Sequence, residues 1–275
     1  SMSQEYQEIR AEEARAYMTR GREKNYLLVD VRQPDEYARE HIPGAVLIPL
    51  GELPARQNEL PPDRDILFYC RSGMRSRSAA IFTGSRPRTA GTIYNLTGGM
   101  LAWNGQVLEN LPNLKTFDLD ASEQDLLLRA MDLERGAERF YSALRERYNA
   151  VPWTAELATL AGAEEMHARM IYRFWAEGET DPPPFETVYA GLAGEVVEGG
   201  RPVADLLAML ERHPLTPCRA VLETALAIEY AAYDLSRVMA HRFQGRLLGE
   251  VFNSIAEAER EHMRLVASGL GHCQG

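Results

Sequence analysis

Cysteine is scarce in this chain of 275 residues: Cys70, Cys218 and Cys273 are the whole set, and no two of them form a Cys-x-x-Cys pair. So odd and sparse a trio does not describe a disulfide-stapled secreted domain. Long apolar runs are missing as well. No stretch approaches the length of a membrane span, and no charged-then-apolar leader opens the chain. Basic residues are the minority, 30 Lys and Arg against 40 Asp and Glu, for a net charge of −10. That balance argues against general nucleic-acid binding. The expectation is a protein of the reducing cytoplasm, with Ser1 before Met2 read as an expression scar. What remains is ordinary globular material, 45% hydrophobic and 25% charged, long enough for about two domains that each bury a core.

The most informative pattern occurs twice. Glu134 is followed thirty residues later by Glu164-x-x-His167, and Glu229 by Glu259-x-x-His262 at the same distance, every member displaced by 95 positions. On a helix, residues three apart share a face, so each Glu-x-x-His pair can converge on one ion. Glu134 lies in the series Met131, Ala137, Phe140 and Tyr141, and Glu229 among Leu226, Ala232 and Leu235, which places both carboxylates on inward faces. Four buried carboxylates are either protonated or neutralised by a cation. Four carboxylates and two imidazoles on four amphipathic helices are what a carboxylate-bridged pair of iron or manganese ions requires. Bound cations would also offset part of the chain's acidity. Glu165, Glu257 and Glu261 are read as solvated.

The chain's organisation divides near its middle. Residues 5–105 alternate short apolar runs with helical patterns, which predicts βαβ units and a mostly parallel sheet flanked by helices. The strands expected are 27–30, 45–48, 66–69 and 93–96, with helices over 12–19, 34–40, 52–58 and 75–82. Gly98-Gly99 opens a last amphipathic helix that carries Trp103. Pro112 and lost periodicity mark 111–121 as a linker, between a domain over 1–110 and another over 122–270. Ser122 with Asp125 reads as a helix start. Long helices are expected at 123–148, 155–177, 217–242 and 246–269, with a shorter helical region over 186–212 after Pro182-Pro183-Pro184. That layout is a four-helix bundle with a long helical crossover.

With these residues in place, the second half resembles the ferritin-like di-iron proteins of the rubrerythrin group. The resemblance implies two iron ions per chain, with manganese or a mixed pair compatible with the same donors. They would be held by Glu134, Glu164, His167, Glu229, Glu259 and His262. It also implies that Tyr141 stands behind the ligands, where a plain core aromatic is the alternative, and that the protein is a homodimer. Two features depart from the group: there is no paired-cysteine rubredoxin segment, which leaves the electron donor open, and Ala232 stands where a further glutamate is usual.

Upstream, Cys70-Arg71-Ser72-Gly73-Met74-Arg75 follows an apolar strand and precedes a helix. A thiolate there would feel the helix N-terminus, loop amides, Arg71, Arg75 and Arg77, all of which favour its charged form. The same amides, including that of Ser76, would cradle an approaching anion. Val29-Asp30-Val31-Arg32, Glu36-Tyr37, His41-Ile42-Pro43-Gly44-Ala45, the cysteine loop, and Gly98-Gly99 with Trp103 together resemble a single rhodanese domain. The resemblance implies a Cys70 persulfide that takes sulfur from thiosulfate or another persulfide and hands it to a thiol or cyanide. Asp30, Arg32, Glu36 and His41 are read as framework.

The whole is therefore expected to be a two-domain redox enzyme, a sulfurtransferase fused to a di-iron unit that reduces hydrogen peroxide or dioxygen and so counters oxidative stress. The alternatives are a persulfide sensor, an iron-binding or ferroxidase protein without sulfur turnover, or a helical half that only dimerises. Cys218, beside Pro217, is read as buried or structural, and Cys273 as part of a loose C-terminus.

Overall fold

The computed structural model describes residues 5–110, 112–213 and 216–273. Ser1, Met2 and Leu111 of the expected linker lie outside the described residues. The chain divides into two compact units, Ser1–Leu111 with Ser236–Gly245, and Pro112–Leu235 with Arg246–Gly275.

The first unit is built on a five-stranded parallel sheet in the order β1-β5-β4-β2-β3. Its strands are β1 (Gln7–Ile9), β2 (Tyr26–Asp30), β3 (Val46–Leu47), β4 (Asp65–Tyr69) and β5 (Ile93–Leu96). Strands β2 and β4 are nearly unbroken apolar runs because a parallel sheet is covered on both faces. Successive residues point to opposite faces. Leu27, Val29, Ile66 and Phe68 accordingly enter one core, while Tyr26, Leu28, Leu67 and Tyr69 enter another. The helices are α1 (Ala11–Arg20), α2 (Pro34–Arg39), α3 (Leu53–Arg56), α4 (Met74–Gly84) and α5 (Gly99–Ala102).

Three details differ from the sequence expectation. Strand β1, too short and polar to announce itself, pairs with β5 at the sheet edge. The helix expected over 52–58 is a single four-residue turn, α3, flanked by 3-10 turns. The last helix is likewise one turn, ended by Trp103 in extended conformation.

The second unit is helical: α6 (Glu123–Arg147), α7 (Thr154–Glu177), α8 (Phe185–Ala190), α9 (Val203–Glu211), α10 (Pro217–Arg242, in this unit as far as Leu235) and α11 (Leu247–Gly271). The Ser122 hydroxyl accepts the Asp125 amide at 3.1 Å and starts α6 as expected of an N-cap. One apolar cluster draws Phe140 and Leu144 from α6, Leu157 and Leu160 from α7, Leu206 from α9, Val221 and Leu222 from α10 and Val266 from α11. Among the described residues no helix is long and apolar enough to cross a membrane.

Two findings here correct the sequence reading. The region 186–212 is not one helical stretch, because α8 stops at Ala190 and α9 begins only at Val203. Between them Gly194 and Gly200 take φ of +56° and +78°, which a helix cannot contain, and Val196 bridges Pro202. Cys218 and Cys273 are joined in a disulfide across 55 residues, so the C-terminal cysteine is not part of a loose end.

Candidate functional site

Cys70 sits where β4 ends and the chain turns toward α4. Gly73 is in the left-handed region at φ +98° and serves as the N-cap of α4. A Cβ there would press on the Gly98 amide at 3.2 Å. The turn folds the chain back so that its own donors face the sulfur. Sγ accepts the Gly73 amide at 3.1 Å, the Ser76 amide at 3.4 Å and the Ser76 hydroxyl at 3.4 Å. Burial, with Cys70 only 1% exposed, pushes the thiol up. The Ser76 hydroxyl and the amides of Ser76, Gly73 and Ser72 more than reverse that, and the thiol lies below its ordinary value.

The loop is held from behind by the second glycine pair. Met100 donates its amide to the Cys70 carbonyl at 2.9 Å, and Leu101 to that of Arg71 at 3.1 Å. Gly99 permits this approach, because a Cβ on it would fall 2.3 Å from the Cys70 oxygen.

Of the three arginines expected around the thiol, the structure gives each a different place. Arg75 forks Glu36 through two contacts of 2.8 Å and still feels the Cys70 charge. Arg71 is exposed and lines a cleft of about 450 Å³ with Arg32, Arg39, Glu36, Glu40, Met100 and Leu101. Arg77 turns away to donate to the Tyr6 hydroxyl at 2.9 Å, a correction to the expectation that it supports the thiolate. Ser72 and Met74 are exposed beside the thiol, whereas Gly73 and Ser76 are buried. The residues read as framework are internally engaged. Asp30 and Arg32 form a buried pair closed at 2.7 Å, and His41 stacks on Tyr37 at 3.8 Å.

In the helical unit the two repeats meet. Glu134, Glu164, His167, Glu229, Glu259 and His262 are all buried. Ligand atoms of Glu164, His167, Glu259 and His262 lie within 4.8 Å of one another, and so do those of Glu134, Glu198 and Glu259. Glu259 belongs to both sets. The imidazoles of His167 and His262 stack with centroids 4.7 Å apart. His167 Nδ1 comes within 3.4 Å of both Glu134 and Glu164 without hydrogen-bond geometry. Glu229 stands outside both sets, bound to His262 Nδ1 at 2.9 Å and to the Tyr141 hydroxyl. Tyr141 thus stands directly behind a carboxylate of the repeat.

Electrostatics sort these groups sharply. Burial, reinforced by the charge of Glu198, holds Glu134 well above the usual carboxylate range. Burial with Glu229, and for Glu259 also Glu164, does the same to Glu164 and Glu259. Burial opposes the charge on Glu229 too, yet its contacts with Glu259, His262 and Tyr141 prevail and hold it low. His262 is pushed down by burial but is carried up to about 9, chiefly by Glu229. Glu134 Oε2, Glu164 Oε2, His167 Nδ1 and Glu198 Oε1 are buried without a hydrogen-bond partner. Orphaned oxygens and an imidazole nitrogen aimed at one another are a hard-donor set that fits divalent cations.

Comparison with known proteins bears on the cysteine loop. The model of the rhodanese-like domain matches residues 11–106. A curated sulfurtransferase of Allochromatium vinosum is 42% identical over 80 residues, 29% of this chain and 73% of that protein. The chain belongs to the rhodanese-like family. A putative sulfurtransferase of Bacillus subtilis, YtwF, is 38% identical over 79 residues, covering 74% of its length and 29% of this chain. The uncharacterised YqhL of the same organism is 41% identical over 80 residues, covering 62% of its length and 29% of this chain. The family match lies within the first unit, and the chain carries its helical unit beyond its rhodanese-like domain.

One site residue escaped the sequence reading. Glu198 lies in the irregular stretch between α8 and α9, where no helical period marks which side chains turn inward. The only local signal is a glutamate set among glycines, Val197-Glu198-Gly199-Gly200, inside an otherwise amphipathic region.

Proposed function

We propose that the rhodanese-like unit moves sulfane sulfur through a Cys70 persulfide, and that the helical unit is a rubrerythrin-like, carboxylate-bridged di-metal centre that reduces hydrogen peroxide or dioxygen. The observation that carries the reading is convergence. Residues scattered over 129 positions, from Glu134 to His262, collect in one buried set whose orphaned donors face each other.

In the first unit the Cys70 thiolate attacks the outer sulfur of thiosulfate. The S–S bond of thiosulfate breaks and sulfite leaves with the electron pair, so that Cys70 carries the sulfur as a persulfide. An acceptor thiolate then attacks the outer sulfur, takes it as its own persulfide and returns the Cys70 thiolate. Ser76 and the loop amides hold the negative charge on Sγ before attack and as leaving group. Arg71 and the other arginines of the cleft draw the anionic donor toward the loop. The Glu36 fork fixes Arg75 beside them.

In the second unit Glu134, Glu164, His167, Glu229, Glu259 and His262 would hold two iron ions, or manganese in their place. Such a pair supplies reversible one-electron chemistry toward peroxide or dioxygen. Tyr141 orients Glu229, Glu229 orients His262, and the surrounding apolar cluster keeps water from the carboxylates. As the two units share a chain, the persulfide or its thiol acceptor is proposed to feed reducing equivalents to the metals.

The test is metal content and an absorption spectrum on the full chain, then anaerobic reduction and rapid mixing with peroxide or air. Near two irons per chain, reoxidised much faster by peroxide, supports a peroxidase, and faster reaction with dioxygen indicates an oxidase or ferroxidase. A folded protein that takes up no metal removes the second half of the reading. Thiosulfate-to-thiol turnover limited to one equivalent would make Cys70 a sensor. If Cys70→Ser leaves turnover at the metals unchanged with every sulfur donor, the two halves are uncoupled.

A further inference from the structure

The stretch between α8 and α9 is anchored to α6 with unusual closeness. The Gly194 amide donates to Asp132 Oδ1 at 2.8 Å, and Arg139 reaches back to the Ala193 and Gly194 carbonyls. One helical turn on, Gly136 has no Cβ, and one placed there would lie 2.1 Å from the Val196 oxygen. Backbone therefore meets backbone two residues beyond Glu134 and two residues before Glu198. After Glu198 the chain reverses tightly: the Gly200 amide donates to the Val197 carbonyl at 2.8 Å and the Val197 amide to that of Arg201 at 3.1 Å. This construction turns two side chains inward, Val197 into the apolar cluster and, next to it, the carboxylate of Glu198.

Glu198 is 6% exposed, and its Oε1 has no hydrogen-bond partner. Its ligand oxygen shares a 4.8 Å neighbourhood with those of Glu134 and Glu259. Burying an acid without a partner is costly, and a loop with four glycines in ten residues, 191–200, had every means to place it in solvent. On α10, one turn beyond Glu229, Ala232 is buried and offers no oxygen to the cluster. Glu259 is shared between the two donor sets, so one set is rich in imidazole and the other is made of carboxylates alone.

We propose that Glu198 is a further ligand of the metal centre, supplied by the crossover loop, and that with Glu134 and Glu259 it completes an all-carboxylate site for one of the two ions. This rests on the di-metal reading of the helical unit. The two ions then differ in kind. The ion held by Glu164, His167, Glu259 and His262, on whose side Glu229 lies against His262, has mixed oxygen and nitrogen donors. The ion between Glu134, Glu198 and Glu259 has oxygen only, the harder site and the one suited to manganese(II). The loop, not a long helix, decides whether that second site exists.

The test counts manganese(II) bound to the full-length metal-free chain, from the electron paramagnetic resonance signal of the free ion, in wild type, Glu198→Ala and Glu198→Gln. Wild type is expected to bind two ions per chain. Glu198→Ala should keep one tight ion while the other weakens by about tenfold or more. Glu198→Gln, which preserves size, should weaken the same ion and leave the fold intact by circular dichroism. If both variants bind two ions as tightly as wild type, Glu198 is not a ligand, although the di-metal reading survives. A wild type that binds no manganese(II) or iron(II) overturns the di-metal reading and this inference with it.

Discussion

Arg75 holds Glu36 in a fork, with both terminal guanidinium nitrogens 2.8 Å from a carboxylate oxygen. The pair joins the first turn of α2 to the start of α4, and so ties the cleft wall to the cysteine loop. The hydrogen bonds from Arg75 are the main reason that the Glu36 carboxyl falls to about 2. A carboxyl held below its unfolded value stabilises the fold at any pH above that value, and the gain is lost as pH falls toward the folded one. Glu36→Gln should therefore cost about 1 kcal/mol at neutral pH. In urea titrations at several pH values the gap to wild type should close between about 4.5 and 2. A gap that persists unchanged to the acid end would mean that packing, not charge, holds this corner.

Ser76 gives the Cys70 sulfur both an amide and a hydroxyl. Removing the hydroxyl with Ser76→Ala leaves the amides in place and withdraws about 1 kcal/mol of thiolate stabilisation. The thiol then rises toward its ordinary value. The acid limb of the pH profile for Cys70 alkylation should move to higher pH, and the rate at neutral pH should fall about fivefold. Cys70→Ser should abolish both alkylation and sulfur transfer. An unshifted limb in Ser76→Ala would leave the thiolate to the amides alone.

Gly99 is where the loop tolerates least. Its φ is +53°, and a Cβ would lie 2.3 Å from the Cys70 oxygen. Gly99→Ala should lower stability by about 1–3 kcal/mol. It should also reduce sulfur transfer more than any surface change, since the Met100 and Leu101 amides that pin the loop must move with it. Thermal melts and a thiosulfate assay on the same preparation check both effects.

What could be read from the sequence was what repeats locally. Cys70 between an apolar strand and a helix, with Gly73 at the turn, shows the loop because strand, turn and helix start are each local patterns. The Glu and His repeat shows its shared faces because helical spacing settles them. Glu198 was hidden because its inward direction depends on Gly136 of another helix, and no periodicity in 191–202 records that approach. Strand β1 was hidden because an edge strand of three residues is defined by its partner β5 rather than by its own composition. The same holds for Arg77, whose direction is set by Tyr6.

Tyr141 offers a test of the metal half that is independent of Glu198. Its hydroxyl binds Glu229, which in turn binds His262. Tyr141→Phe removes one oxygen from a fully buried position and leaves the ring in its core. Such outer partners typically matter by about 10- to 100-fold in metal affinity. Chelator competition should show weaker metal binding at unchanged stoichiometry. A loss of one whole ion would mean that Glu229, freed from its hydroxyl, no longer holds His262 in place.

The disulfide between Cys218 and Cys273 joins the first turn of α10 to the residues just beyond α11. These helices carry Glu229, Glu259 and His262, so the link closes the chain around half of the repeat. Closing a loop of 55 residues restricts the unfolded chain and is worth about 2–4 kcal/mol. Cys218→Ser, or full reduction with a thiol, should lower the denaturant midpoint by the corresponding amount without changing helix content. If the oxidised and reduced forms melt alike, the bond adds nothing to the fold. The two ends of this helix pair are then already held by the core that Val221, Leu222 and Val266 share.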